Sequence, residues 1–529
     1  MKKLQLFLST LGTLSIVSCV SAINAQEWVE VPPVRSLPEI RQVSTDSMQN
    51  QHIVPPVAVP GVVQTPMAQQ QPMLAPQFNG AAPYIPNYPA PQYATESHNA
   101  YADLAAKYDL LSSDFANLKK DLAKKSDKPD PKKGFTSPKI GGRIFMDSVN
   151  VVDQNNDSVV TGGSGNNYIG FREVRLGATG NAYDFLDYKI ELGFENESKA
   201  TFKDVFLGIK YVPLLGYVRV GNQYVEDAGS EICNGSTNYT FMEAPAPTGN
   251  QFTARRLGIS SRHLFAKDRG RLFMGVFGAK DVSSANHISR DDNQGFMYNA
   301  RLTYAPVFRQ EGKCIFLYGG YYNYTDPSDA DVSANNEVSR PGGWTNTGIT
   351  SLSPGAFNAA SRHKLGFETV YQNGVFCLQT DVFLKQYSDV RGTFVNTHED
   401  KATYGGFVMG RVFLTPGDFR KYSLENGCWG APSVRCPFLL FERGKYNVME
   451  GPGAWEVAAY YGLMDNDDFV GANSVAGTDH EIGLALNWYW NPQVKWAFNY
   501  IHQMSDISFG GRDYTPSADT VGMSCRINF

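Results

Sequence analysis

The chain has 529 residues, of which 13% are aromatic and only 19% charged, with 50 Gly, 29 Pro and a net charge of -5. That aromatic content and low charge exclude a globally disordered chain, and a pI near 6.0 offers nothing to a nucleic-acid backbone. No apolar run past the N-terminus is long enough for a transmembrane helix, which leaves room for a membrane β-barrel, whose alternating strands average to low hydropathy.

Lys2 and Lys3 precede an apolar run over 4–20, and the small residues Ser21, Ala22 and Ala25 follow. This pattern predicts a secretory signal peptide over 1–25, cleaved after Ala22 or Ala25. A rival reading takes Ile16-Val17-Ser18-Cys19 as a lipobox, with Cys19 lipidated. Residues 26–98 are rich in Pro, Gln, Ala and Val. Repeated Pro blocks both helix and strand ladders, so the segment is expected to be a disordered periplasmic spacer, or alternatively a segment that binds peptidoglycan.

The segment 99–127 reads differently. Tyr101, Leu104, Tyr108, Leu111, Phe115, Leu118 and Leu122 are spaced alternately three and four apart, an a/d seam of about three heptads. A helix this short needs a partner for its stripe. The spacer before it and Lys128-Pro129-Asp130-Pro131 after it separate it from any other core. The seam therefore predicts coiled-coil self-association.

From 139 to 529 the period becomes two. In Asp187-Tyr188-Lys189-Ile190-Glu191-Leu192 and Asp204-Val205-Phe206-Leu207-Gly208-Ile209 polar or small residues alternate with apolar ones. Such runs amount to about 16 antiparallel strands, an all-β transmembrane barrel. Short links (183–185, 213–216, 373–374, 491–493) fall in every other gap, and long polar links (152–167, 224–252, 326–361, 388–401) mostly fill the rest. Short periplasmic turns and long outer loops give this asymmetry. The gap from Pro416 to Pro452 breaks it, being long where a short turn is due. Cys428 and Cys436 within it are the best candidate disulfide, in an exported chain where thiols can pair. A propeller would repeat a blade motif, and none is present.

The last strand alternates Val521, Met523, Cys525, Ile527 and Phe529 against Gly522, Ser524, Arg526 and Asn528. A terminal Phe529 closing such a strand is expected to serve as the signal read by the barrel-assembly machinery. No CxxC, HExxH or His cluster appears, so neither a metal nor a cofactor is expected. A barrel enzyme needs a Ser–His pair held by a third group. The one close pair, His502 and Ser505, falls on opposite faces of a strand, so no catalytic residues are expected.

Several stretches resemble the phosphate-selective porin family (porins O and P). They include Ile140-Gly141-Gly142-Arg143-Ile144, Phe171-Arg172-Glu173-Val174-Arg175-Leu176-Gly177, Val218-Arg219-Val220-Gly221-Asn222-Gln223, Ala300-Arg301-Leu302-Thr303-Tyr304-Ala305-Pro306 and Gly453-Ala454-Trp455-Glu456-Val457-Ala458. The resemblance covers essentially all of 139–529. It implies a trimeric 16-stranded porin whose third outer loop, about 224–252 here, folds into the lumen as a constriction. At Phe241-Met242-Glu243-Ala244 the chain lacks the cation that the family commonly carries after an aromatic.

Following the alternation, twelve basic and ten acidic residues point inward. Arg143, Arg175, Lys189, Arg219, Arg256 and Arg301 are the pore-lining candidates, placed within strands where cations would favour anions. The function expected is an outer-membrane, water-filled channel for passive diffusion of small hydrophilic solutes, with anion or phosphate preference. The alternative is a structural tether joining the outer membrane toward the cell wall through the spacer and coiled coil. Expected partners are outer-membrane lipid, small anions, the assembly machinery and two further copies of the chain.

Overall fold

The computed structural model describes residue 136 and residues 138–529, apart from 156–165, 196–199, 234, 250, 280, 282–294, 328–338, 345–348, 356, 393–394, 440–450 and 472–473, and the side chains of 341 and 392–397. The signal, with its alternative lipidation at Cys19, the spacer and the coiled-coil helix all lie outside the described residues.

Sixteen antiparallel strands form one closed barrel. They are β1 (Lys139–Gln154), β2 (Tyr168–Ala182), β3 (Leu186–Gly193), β4 (Thr201–Val212), β5 (Gly216–Tyr224), β6 (Arg255–Phe265), β7 (Gly270–Gly278) and β8 (Phe296–Arg309). The second half comprises β9 (Cys314–Asp326), β10 (Ser361–Asn373), β11 (Phe376–Gly392), β12 (Val395–Phe413), β13 (Ala454–Asp465), β14 (Ala476–Asn491), β15 (Val494–Phe509) and β16 (Ser517–Asn528). Each strand pairs with its neighbours in sequence, and β1 pairs with β16 to close the wall, from Arg143 opposite Asn528 to Gln154 opposite Ala518. Closure leaves no free edge, so every wall amide can be satisfied within the hydrocarbon layer. Two short pieces, Phe357–Asn358 on β11 and Arg512–Tyr514 on β15, extend the sheet.

The period-two reading holds along the wall. On β16, Thr520, Ser524 and Arg526 are buried inside, while Val521 and Met523 face outward. Leu257, Ile259, Leu302, Leu365 and Phe367 belong to the same outer apolar surface. At the seam the Phe529 amide donates to the Gly142 carbonyl at 3.0 Å, and the Gly142 amide returns the bond at 2.9 Å. The terminal ring itself is exposed on the outer surface.

Inner turns are short, at 183–185, 213–215, 266–269, 310–313, 374–375 and 492–493. One expectation is corrected. The polar stretch 388–401 is not a long loop, because β11 and β12 run on through it and pair at Val390 with Glu399 and Gly392 with Val395. Polar residues there are compatible with strand because this extension stands beyond the apolar part of the wall.

The interior is packed rather than empty. The third outer loop, 225–254, brings Phe241 and Met242 against Phe407, Met409, Tyr460 and Ile501 of the inner wall, joined by Trp344 from the loop between β9 and β10. From the opposite end, the long insertion after β12 forms a hairpin with arms Phe419–Ser423 and Cys428–Ser433. Its Tyr422 and Trp429 pack on Ala305, Ile315, Leu317, Val370 and Cys377. These apolar residues sit on the lumen side of the wall because the hairpin covers them.

Candidate functional site

The third outer loop is built into the lumen by polar side chains of the wall. At its base, the Asp227 carboxylate accepts the Thr253 amide at 2.9 Å. The Gly229 amide donates to Asp381 at 2.8 Å, and the Ser230 amide and hydroxyl donate to Glu368 at 2.7 and 2.6 Å. Further along, Lys495 donates to the Tyr239 carbonyl at 3.0 Å and the Met242 amide donates to Asn499 at 2.7 Å. Arg526 donates to the Ser236 carbonyl at 3.0 Å. The loop thus crosses from β10–β11 to β15–β16, spanning the barrel.

Glu226 is the hub of its charge network. Arg271 lies 2.6 Å from its carboxylate, and Arg262 and Arg301 each lie 3.2 Å away. Burial pushes the Glu226 carboxyl upward, but Arg271 and then Arg262 outweigh it and hold the group down at about 2. The hairpin docks on the same cations. Arg271 donates to the Glu425 carbonyl and Arg301 to the Gly427 carbonyl, both at 2.8 Å. The Tyr422 hydroxyl meets the Ser230 hydroxyl at 2.8 Å, and the Trp429 indole donates to Gln379 at 2.7 Å. Loop and hairpin therefore meet inside the barrel.

Open space remains beside them. One cavity of about 260 Å³ is lined by Lys139, Arg143, Arg175, Lys189 and Glu191. A second of about 200 Å³ shares Arg143, Lys189 and Glu191 and adds Asp204, Arg219, Arg255, Arg262 and Asn426. Together they follow the inner face of β1–β6, and a third cavity of about 380 Å³ lies at the inner end of β14–β16, lined by Arg420, Tyr489, Lys495 and Arg526. The second cavity counts Arg143, Lys189, Arg219, Arg255 and Arg262 against Glu191 and Asp204.

The expected pore residues divide. Arg143 pairs with Glu173 at 2.7 Å and Glu191 at 3.4 Å, and Lys189 pairs with Glu191 at 2.9 Å and Asp204 at 2.6 Å. Arg175 pairs with Glu195 at 2.6 Å and lines the first cavity only. Arg219 differs from all of these. Its guanidinium lies 4.3 Å from the Phe206 ring and donates to the Tyr217 hydroxyl at 3.0 Å, and among the described residues no carboxylate pairs with it. Arg301 is fully buried as an anchor of the loop, and lines neither cavity. Arg256 donates to the Ala279 and Arg255 carbonyls at the outer end of β6 and also lines neither.

Arg255 was hidden from the alternation. It shares the parity of the outward Leu257 and Ile259, but at the first residue of β6 the returning loop turns it inward, 2.6 Å from Asp204. Cys428 and Cys436 are both free thiols, Cys428 buried in the lumen and Cys436 exposed, so the expected bridge is not formed here. Burial pushes the Cys428 thiol up to about 11. His502 faces outward to Asp519 at 2.7 Å, whereas Ser505 points inward to Asp479 at 2.8 Å, so the two cannot act together. Among the described residues there is no group of three or more His, Cys, Asp or Glu arranged to hold a metal.

The barrel is similar to several solved outer-membrane proteins. OmpT of Vibrio cholerae with loop L8 deleted is 13% identical, covering 75% of this chain and 100% of its own, with a TM-score of 0.45. An anion-selective porin from Comamonas acidovorans is 14% identical over 74% of this chain and 99% of its own, with a TM-score of 0.44. OprB of Pseudomonas putida is 10% identical over 75% and 94%, with a TM-score of 0.43. No curated relative matches the sequence. The family model described as phosphate-selective porin O and P matches residues 139–522. Its match spans all but the end of a closed barrel holding a loop and a hairpin in its lumen, and the chain belongs to the phosphate-selective porin O and P family.

Proposed function

We propose that this outer-membrane porin prefers small anions, phosphate among them. An outer-membrane channel for passive diffusion follows from the family and the barrel. The preference rests on one observation. The inner-face cavity along β1–β6 holds five cations against two carboxylates, and the Arg219 guanidinium has no carboxylate partner among the described residues. A cation in a narrow, low-dielectric path raises the local anion concentration. Arg143, Lys189, Arg219, Arg255 and Arg262 all line that cavity.

Three copies of the chain form the working unit in this reading, joined through the helix at 99–127, with the spacer reaching into the periplasm behind a cleaved signal. Phe529 directs insertion through the assembly machinery. Reading the chain as a channel without catalytic residues fits the separation of His502 from Ser505. Single-channel recordings in planar bilayers test the proposal. Reversal potentials under a KCl gradient should report anion preference, and added phosphate should lower chloride current. Cation preference would sink the anion reading, and absence of any channel would leave the tether reading.

A further inference from the structure

Two tyrosine–histidine pairs stand on the outer surface of the barrel at matching height. The Tyr322 hydroxyl on β9 is 2.8 Å from His363 Nδ1 on β10, and the Tyr461 hydroxyl on β13 is 2.8 Å from His480 Nδ1 on β14. Each tyrosine lies four residues before the outer end of its strand, at Asp326 and Asp465. A phenol is the stronger acid and an imidazole the stronger base, so the hydroxyl donates and Nδ1 accepts. This fixes the proton of each neutral ring on Nε2. Among the described residues neither histidine has another hydrogen-bond partner, so both Nε2–H groups are unspent donors.

Their surroundings set what they meet. Below His363 the outward positions are Leu365 and Phe367, and below His480 they are Ile482 and Leu484, all exposed. From His480 down β14 to Trp488, in the aromatic cluster at the inner end, is eight residues. At about 3.3 Å per residue and a tilt of about 40° this is roughly 20 Å of height, close to the apolar band of a membrane barrel. The imidazoles therefore stand where hydrocarbon ends and headgroups begin. His502 is the counter-case. Its Nδ1 lies 2.7 Å from the Asp519 carboxylate, which can only accept, so the neutral ring keeps its proton on Nδ1 and Nε2 is left an acceptor.

We propose that His363 and His480 each hold the phosphate of an outer-leaflet lipid headgroup through Nε2–H, with acyl chains lying on the apolar stripes below. A lipid phosphate is anionic at neutral pH and offers chiefly acceptors, which is the complement of an N–H at the edge of the hydrocarbon. The tyrosines act as positioning residues by fixing the tautomer. Headgroup binding at these histidines is independent of what the channel conducts.

Native mass spectrometry of the full chain in detergent, titrated with phosphatidylglycerol or with diacylglycerol, tests it. The paired variant His363→Phe, His480→Phe should bind phosphatidylglycerol about tenfold more weakly, the loss expected for hydrogen bonds to a charged group. His502→Phe should bind as the native chain does, and excess inorganic phosphate should not displace the lipid. Tyr322→Phe with Tyr461→Phe, which keeps both imidazoles, provides a milder variant and should weaken binding by less than the histidine pair. Undiminished binding by both paired variants would overturn the proposal, as would equal binding of diacylglycerol. A changed oligomeric state in the histidine pair would instead assign this rim to a second copy of the chain, and would also overturn it.

Discussion

Arg301 and Gly427 meet through a single hydrogen bond of 2.8 Å, by which a wall cation holds the tip of the lumenal hairpin. The same guanidinium reaches Glu226 of the third outer loop at 3.2 Å and Glu368 of the wall at 2.6 Å. Gly427 has a φ of +63°, and a Cβ there would lie 2.9 Å from an Arg271 nitrogen and 3.1 Å from an Arg301 nitrogen. Only glycine serves both the turn and the close approach. Two segments that enter from opposite ends of the barrel are thus fastened to one residue.

Replacing Arg301 with Met should loosen both. Breaking a buried ion pair from one side costs about 3–5 kcal/mol, here charged against the seating of loop and hairpin while the wall ladder persists. Single-channel traces should show a larger and noisier conductance than the native protein. An unchanged, quiet conductance would show that the remaining contacts suffice.

Trp429 carries the apolar side of the hairpin's attachment, packed at 5.1 Å on Tyr422 and 3.9 Å from the Arg411 guanidinium. Trp429→Ala should cost about 3–5 kcal/mol of hairpin docking. Removing 419–433 altogether should raise conductance further, while heat-resistant migration on gels shows the barrel intact. Equal conductance in the native and shortened chains would mean that the hairpin does not limit flow.

Arg219 should set charge preference more than Arg143 or Lys189, whose charges are already met by Glu173, Glu191 and Asp204. One unit charge at about 4 Å in water-like screening is worth about 1 kcal/mol, or roughly fivefold. Arg219→Gln should lower the anion-to-cation permeability ratio by about that factor in reversal-potential measurements. Lys189→Gln should change it less.

The loop anchor has a defined pH range. Glu226 is held at about 2, below its ordinary 4.5, so its contribution is complete above the ordinary value and is lost as pH falls toward 2. The part of the loop's seating that Glu226 supplies should be complete at pH 5 and above and fade as pH approaches about 2, so the conductance noise gained between about pH 4.5 and 2 should be smaller in a variant that lacks this carboxylate. Glu226→Gln should show the acid behaviour already at pH 7.

Much of this architecture was legible in the sequence because a barrel wall obeys a simple rule. A period of two along Asp187–Leu192 fixes which side chains face lipid, and short links mark one rim. The length of the Pro416–Pro452 insertion signalled an exception, but nothing in its own pattern said that it turns into the lumen. That depends on Ile315, Leu317 and Val370 offering an apolar inner patch, which alternation alone assigns to neither face. The same limit explains Arg301. Its inward direction could be read, but whether an inward cation meets water or a folded loop is decided by Glu226 and Gly427, 75 and 126 residues away in sequence. Arg143, Lys189 and Arg219 line the cavity along β1–β6, a placement that depends on where the loop and hairpin fold as much as on inward direction.

The contrast between the loop-covered patch and the cavities along β1–β6 also divides the inner wall by how it should tolerate change. Phe407, Met409, Tyr460 and Ile501 touch Phe241 and Met242 and are a protein core in all but location. There, volume and shape matter, and a charge would be rejected. Opposite them, the inward positions of β1–β6 border open space and already mix both signs of charge. A saturation scan of inward residues should therefore split into a part ruled by packing and a part ruled by charge balance, so that new solute preferences arise from one side of the barrel while the other keeps its fold.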